Sequence, residues 1–217
     1  MKEKGLKVTA DMEKIQKAVA SGRAKKIGGL VEGALEEGKT AKEILDAMIE
    51  SMSIIGEKFK NNEVFVPEVL MSARAMQAGV DVLRPYLIQE DVQAIGKIVI
   101  GTVAGDAHDI GKNLVGMMME GAGFDVIDLG VDVSADAFME ALKKNDAHIL
   151  GMSALLTTTM PEMRKNIEAL KEAGMRHDIK VMIGGAPVTA EYAEQIGADG
   201  YSADAASAVD LAKSFLV

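Results

Sequence analysis

The sequence predicts an α/β protein in two parts: a bundle of four short helices over residues 1–90, then a doubly wound parallel sheet of five strands over residues 91–217. Three observations predict it. In the first part apolar residues recur at three- and four-residue steps, the period of one helical face. In the second, short β-rich runs alternate with helical patterns, which requires a parallel sheet covered on both faces. Between them the helical period stops at Pro85-Tyr86-Leu87-Ile88-Gln89-Glu90-Asp91. A boundary is expected near residues 86–94, with hinge motion over residues 85–94.

Residues 11–37 supply one or two helices, broken near Gly28-Gly29 or at Gly38. The next helix is better marked: Ile44, Met48, Met52, Ile55 and Phe59 share a face, and Thr40-x-x-Glu43 is a capping box. A fourth helix opens at Pro67, runs through Leu70, Ala73, Met76 and Val80, and is expected to stop before Pro85. Short connections favour antiparallel neighbours, so the simplest arrangement is up-and-down. Met48, Met52, Met71 and Met76 stand at helical spacing. They read as core filling, or as a soft apolar lid over a flat cofactor.

In the second part the strand runs are Ile95–Val103, Phe124–Leu129, Ala147–Met152, Ile179–Ile183 and Ala198–Tyr201. Helices are expected at Ile110–Gly121, Ala135–Lys144, Met160–Ala173, Thr189–Gln195 and Ala205–Leu216. Right-handed crossovers leave few topologies, and the flavodoxin-like order 2-1-3-4-5 is the expected one. Its ligand crevice lies at the carboxyl edge of the sheet, beside strand 1.

Composition removes several classes of function. A net charge of -9 argues against a nucleic-acid partner, since phosphate binding needs clustered Lys and Arg. Aromatics make up 4% and Trp is absent, so base stacking is not a driving force either. With zero cysteines there are no disulfides, zinc-thiolate sites or thiol nucleophiles. Any metal must be held by His, carboxylate or a cofactor. Met1-Lys2-Glu3-Lys4-Gly5 has no apolar leader region, and no run approaches the roughly 20 apolar residues of a membrane span. A cytoplasmic protein without a membrane partner is expected.

The chemistry concentrates at strand ends. Strand 1 leads into Gly105-Asp106-Ala107-His108-Asp109-Ile110-Gly111-Lys112-Asn113, which reads as a metal-ligand loop. His108 is the candidate ligand, and Asp106 the carboxylate that accepts its other ring N–H and fixes its tautomer. The alternative is a helix-capping aspartate, with Asp109 as the cap and His108 incidental. After strand 3 comes Ser153-Ala154-Leu155-Leu156-Thr157-Thr158-Thr159, small and hydroxylated; after strand 4, Gly184-Gly185-Ala186-Pro187; after strand 5, Tyr201-Ser202-Ala203-Asp204. Together they describe a slot suited to a nucleotide-like tail. His148 and His177 read as surface or structural.

Asp106, His108 and Gly111, then Ser153 and Leu155, then Gly184 and Gly185 form the signature Asp-x-His-x-x-Gly, Ser-x-Leu, Gly-Gly. It resembles that of the cobalamin-binding corrinoid proteins of methyltransferase systems, and is similar to the cobalamin module of methionine synthase. Glu63–Leu70 and Ala73–Met76 resemble the helical cap of the same family. The resemblance implies a cobalamin cofactor whose cobalt is held from below by His108. It further implies cofactor contacts from Asp106, Asp109, Ile110, Gly111, Ser153, Leu155, Thr157, Thr159, Gly184, Gly185, Ala186 and Tyr201. Thr159 stands where the family has a serine whose hydroxyl bonds the aspartate.

The implied function is that of a methyl carrier, a non-catalytic subunit. Co(I) accepts a methyl group from a substrate held by a substrate-specific methyltransferase, and methyl-Co(III) passes it to a corrinoid:acceptor methyltransferase acting on a thiol or tetrahydrofolate. A corrinoid reductive activase is implied as a third partner. Methylamine, quaternary amines and methanol are the methyl sources the resemblance admits. An adenosylcobalamin mutase subunit would normally bring a roughly 250-residue barrel for which this chain has no room. A cobalamin-dependent regulator should carry a basic recognition helix, which Asp11–Lys26 does not provide. A receiver without cobalamin leaves the converging motifs unexplained.

Overall fold

The computed structural model describes residues 10–216, and the chain divides into two compact units between Gln93 and Ala94. The expectation about Met1–Gly5 lies outside the described residues. Among the described residues no helix is long and apolar enough to cross a membrane.

The first unit is a four-helix bundle: α1 (Ala10–Ala20), α2 (Ala24–Glu36), α3 (Ala41–Lys60) and α4 (Val66–Gln89). Its core includes Ile15, Val19, Ile27, Val31, Ile44, Met48, Met52, Ile55, Val69, Met76 and Leu83. Met71 departs from its expected place with the other methionines and is half exposed. Buried hydroxyls tie the helices together: Ser51 Oγ donates to Gln16 O (2.9 Å) and Ser72 Oγ to Ala20 O (3.2 Å). The capping box at α3 is complete, with Glu43 N–H bonded to Thr40 Oγ1 (3.1 Å) and Thr40 N–H to Glu43 Oε2 (3.0 Å). Glu90, just past α4, reaches the same helix start and accepts N–H bonds from Ala41 (2.9 Å) and Lys42 (3.1 Å).

Two expectations need correction here. The first break falls at Ser21-Gly22-Arg23, whereas Gly28 and Gly29 lie inside α2. Gly22 takes φ +65, and a Cβ on it would sit 2.5 Å from Met71 Cβ, so the turn after α1 falls where Met71 of α4 leaves no room for a side chain. Likewise α4 does not stop before Pro85 but carries it inside and continues to Gln89. Proline frees the carbonyl four residues back. Here that is Asp81, and both residues are exposed, so water can satisfy it while buried Leu83 keeps the turn on the bundle.

The second unit is a parallel sheet in the order β2-β1-β3-β4-β5, as the alternation predicts. Its strands are β1 (Lys97–Thr102), β2 (Asp125–Asp128), β3 (Ile149–Ser153), β4 (Lys180–Gly184) and β5 (Gly200–Tyr201). The helices are α5 (Ile110–Gly121), α6 (Ala135–Asn145), α7 (Met160–Glu172), α8 (Ala190–Ile196) and α9 (Ala205–Ser214). On one face Val99, Leu150, Val181 and Ile183 share a core with Phe138, Leu142, Met163, Ile167 and Leu170. On the other, α5 packs with α9, and a Cβ on Gly116 would meet Ile100 at 2.9 Å. β5 is shorter than its apolar run because Ala198 N–H closes α8 on Ala193 O (2.9 Å). Asp199 meanwhile turns its carboxylate to Val181 N–H (2.7 Å).

Candidate functional site

Strands β1, β3 and β4 end in one row, where Thr102 pairs with Ser153 and Ser153 with Gly184. The three loops leaving that row carry the three motifs. After β1 the chain turns at Gly105, whose φ of +79 lies in the region glycine enters without strain. Asp106 then points inward with no exposed surface.

The Asp106 carboxylate meets five donors. Oδ1 accepts the backbone N–H of His108 (3.1 Å) and faces His108 Nδ1 (2.8 Å). Oδ2 accepts the N–H groups of Leu155 (2.8 Å) and Leu156 (3.2 Å) and the Thr159 hydroxyl (2.8 Å). Burial opposes its ionisation. The bonds from the His108 ring, Thr159 Oγ1 and the Leu155 and His108 N–H groups outweigh burial and hold the carboxyl well below the usual carboxylate range. Thr159 Oγ1 also lies 2.9 Å from Leu156 O, but it has one proton to give and the charged acceptor takes it.

An ionised carboxylate only accepts, so in the neutral ring Nδ1 carries the proton and Nε2 keeps its lone pair. The His108 side chain is 51% exposed, and among the described residues no protein group bonds Nε2. The arrangement is thus an imidazole of fixed tautomer presenting one free nitrogen. Such a group can ligate a metal through Nε2 or accept a proton there.

Asp109 stands at the N-cap of α5 but makes no capping bond; its carboxylate accepts from Asn113 Nδ2 (3.0 Å) instead. The geometry therefore differs from a simple capping aspartate beside an incidental histidine. Ile110 is 79% exposed in the first turn of α5. At Gly111 a Cβ would meet nothing within 4 Å, so packing within the chain does not demand glycine there. Gly185 is the opposite case. It takes φ +131, and a Cβ would fall 1.9 Å from Ala154 O, so its missing side chain lets the β3 and β4 loops touch. Leu155, Thr157 and Ala186 are exposed, and Tyr201 is half-buried against the sheet core, paired with Ile183.

Sequence reasoning missed several supports. Fully buried Thr102 donates its hydroxyl to His108 O (2.9 Å). Lys112, its side chain 3% exposed, donates to Asp128 Oδ1 (2.7 Å) and Asn113 Oδ1 (2.7 Å), tying α5 to the end of β2. Asp132 bonds the turn at Gly105. Asp128 and Asp132 flank Leu129-Gly130-Val131 at a strand end, a signal of position but not of partner.

Known proteins resemble the chain along both units. A B12 binding domain family matches residues 96–210, and a second B12 binding domain family matches residues 12–84. Dimethylamine corrinoid protein 1 of Methanosarcina mazei is 42% identical over 207 residues, covering 95% of this chain and 96% of that protein. A cobalamin-binding protein from Desulfitobacterium hafniense has a crystal structure that superposes with TM-score 0.79 at 34% identity, covering 96% of this chain and all of the other. The methanol:cobalamin methyltransferase complex of Methanosarcina barkeri gives TM-score 0.84 at 29% identity, covering 95% of this chain and 79% of that one. With both units matched, and with relatives this similar along nearly their whole length, the chain belongs to the family of B12-binding corrinoid proteins.

Proposed function

We propose that this protein carries a methyl group on a cobalamin held by His108, between a substrate-specific methyltransferase and a second, corrinoid:acceptor methyltransferase. The observation that carries the reading is the relay in which five donors keep buried Asp106 ionised and Asp106 keeps His108 Nε2 free and presented. The open space at Gly111, one helical position beyond exposed Ile110, fits a large flat group laid over this loop. The bound corrinoid supplies a cobalt that can accept and return a methyl group.

The chain's own residues orient and hold a proton. Asp106 fixes the ring direction through Nδ1, Thr159 fixes Asp106, and Thr102 fixes the backbone carbonyl of His108. Asp109, Ile110, Gly111, Ser153, Leu155, Thr157, Gly184, Gly185, Ala186 and Tyr201 are proposed as the remaining cofactor contacts. Names of relatives point to amines or methanol as methyl sources in those systems. A reductive activase and a cytoplasmic setting complete the proposal.

The test is a visible spectrum after reconstitution with hydroxocobalamin and gel filtration, wild type beside His108→Ala. Retained corrinoid bands that change with the substitution are expected. A colourless protein, or identical spectra, would overturn the reading.

A further inference from the structure

Asp132 holds the loop of Asp106 and His108 from outside. It lies between Gly130 and Val133, in the connection from β2 to α6. That segment is fixed to the end of β1, since Thr102 N–H donates to Gly130 O (2.9 Å) and Val133 N–H to Thr102 O (2.9 Å). Held there, Asp132 makes two bonds to the neighbouring turn. Its Oδ1 accepts the Gly105 N–H (2.7 Å), and its own N–H donates to Asp106 O (3.0 Å).

The backbone says why an aspartate stands there. Asp132 takes φ +54, a left-handed conformation that glycine adopts more easily than any residue with a side chain. Glycine would relieve that strain but could not receive the Gly105 N–H. Asp and Asn are the side chains that tolerate this conformation and still offer an oxygen. Gly105 has no side chain to fix it, so its N–H is the handle by which the turn is held.

We propose that Asp132 is a positioning residue for His108, an inference that rests on the cofactor reading above. It acts through the backbone. By bonding Gly105 N–H and Asp106 O it sets where the Asp106 carboxylate hangs, and so the direction in which the imidazole presents Nε2. Without the Asp132 carboxylate, Gly105 loses its anchor and the bond from His108 Nδ1 to Asp106 loosens.

The experiment compares wild type with Asp132→Gly, which keeps the backbone conformation and removes the acceptor, and Asp132→Asn, which keeps both. NMR of the full apo chain reads the exchange of the His108 Nδ1–H and Gly105 amide protons. The spectrum after hydroxocobalamin reconstitution reads ligation. In wild type and Asp132→Asn both protons should be protected; in Asp132→Gly the His108 ring proton should exchange about tenfold faster, the order of one well-formed hydrogen bond. The Asp132→Gly spectrum should then shift toward that of His108→Ala. A protected ring proton in Asp132→Gly, or equal loss in Asp132→Asn, would overturn the proposal. An unprotected Gly105 amide in wild type would do the same, even if a variant failed to fold. Failure of wild type to take up corrinoid would instead sink the cofactor reading, and the apo measurement would still decide the role of Asp132.

Discussion

Thr159 Oγ1 lies 2.8 Å from Asp106 Oδ2, joining residues 53 positions apart inside a region closed to solvent. The contact exists because β1 and β3 are neighbours in register, so the loops after Thr102 and Ser153 leave the sheet side by side. Removing the hydroxyl leaves a buried charge with one donor fewer. Thr159→Val should therefore destabilise the apo protein by about 1.5–3 kcal/mol, the range for bonds to charged groups. Thr159→Ser, which keeps the donor, should lose clearly less. Urea unfolding of the three proteins decides it: a Thr159→Val variant as stable as wild type, or a larger loss in Thr159→Ser, would place the role of Thr159 in its methyl group.

Gly111 and Gly185 should respond in opposite ways to one added methyl group. At Gly185 alanine would combine φ +131 with a clash on Ala154 O, and a loss of more than about 2 kcal/mol is expected. At Gly111, inside α5 and facing open space, alanine should stabilise the apo chain by roughly 0.5–1 kcal/mol. Corrinoid uptake by Gly111→Ala should nevertheless weaken, because the methyl group occupies space proposed for the cofactor. Thermal unfolding paired with equilibrium dialysis checks both halves.

Glu90 is expected to matter to a helix far from it in sequence. Its carboxylate caps two N–H groups at the start of α3, and Glu90→Ala should cost about 1 kcal/mol, the usual loss for an N-cap. Denaturant unfolding measures this. An unchanged midpoint would mean that Thr40 alone satisfies the helix start.

Acid should weaken the same helix through Glu43. The Thr40 N–H, and next its hydroxyl, hold the Glu43 carboxyl below its ordinary value. A carboxylate lowered on folding contributes stability that is present above its unfolded pKa, near 4.3, and is lost as pH falls through the lower folded value. Glu43→Gln should therefore be less stable than wild type at neutral pH, and the difference should shrink below about pH 4. Unfolding midpoints across that range test the sign.

Much of this was legible in the sequence for identifiable reasons. The capping box at Thr40 and the strand order follow from local spacing and from the handedness of crossovers. The Asp106 and His108 pair follows from two residues at one strand end, and Thr159 joins them through the family resemblance. What escaped depends on tertiary partners. Gly22 rather than Gly28 ends a helix because Met71 passes beside it, and Pro85 stays helical because Asp81 faces water. Asp132 and Thr102 act on backbone atoms of another loop, and backbone atoms leave no signature in the identity of their partners.

The separation of Asp106 from its donors also has a consequence for the newly made chain. Leu155, Leu156 and Thr159 are synthesised 49 to 53 residues after Asp106. At about 5–20 residues per second, the ribosome makes Asp106 and His108 roughly 3–10 seconds before Leu155, Leu156 and Thr159 exist. During that interval Asp106 has only the two donors of His108 to meet. On the proposed cofactor reading, a truncated product ending before Leu155 would lack three of the five donors that hold Asp106, and should take up corrinoid poorly however well its bundle folds.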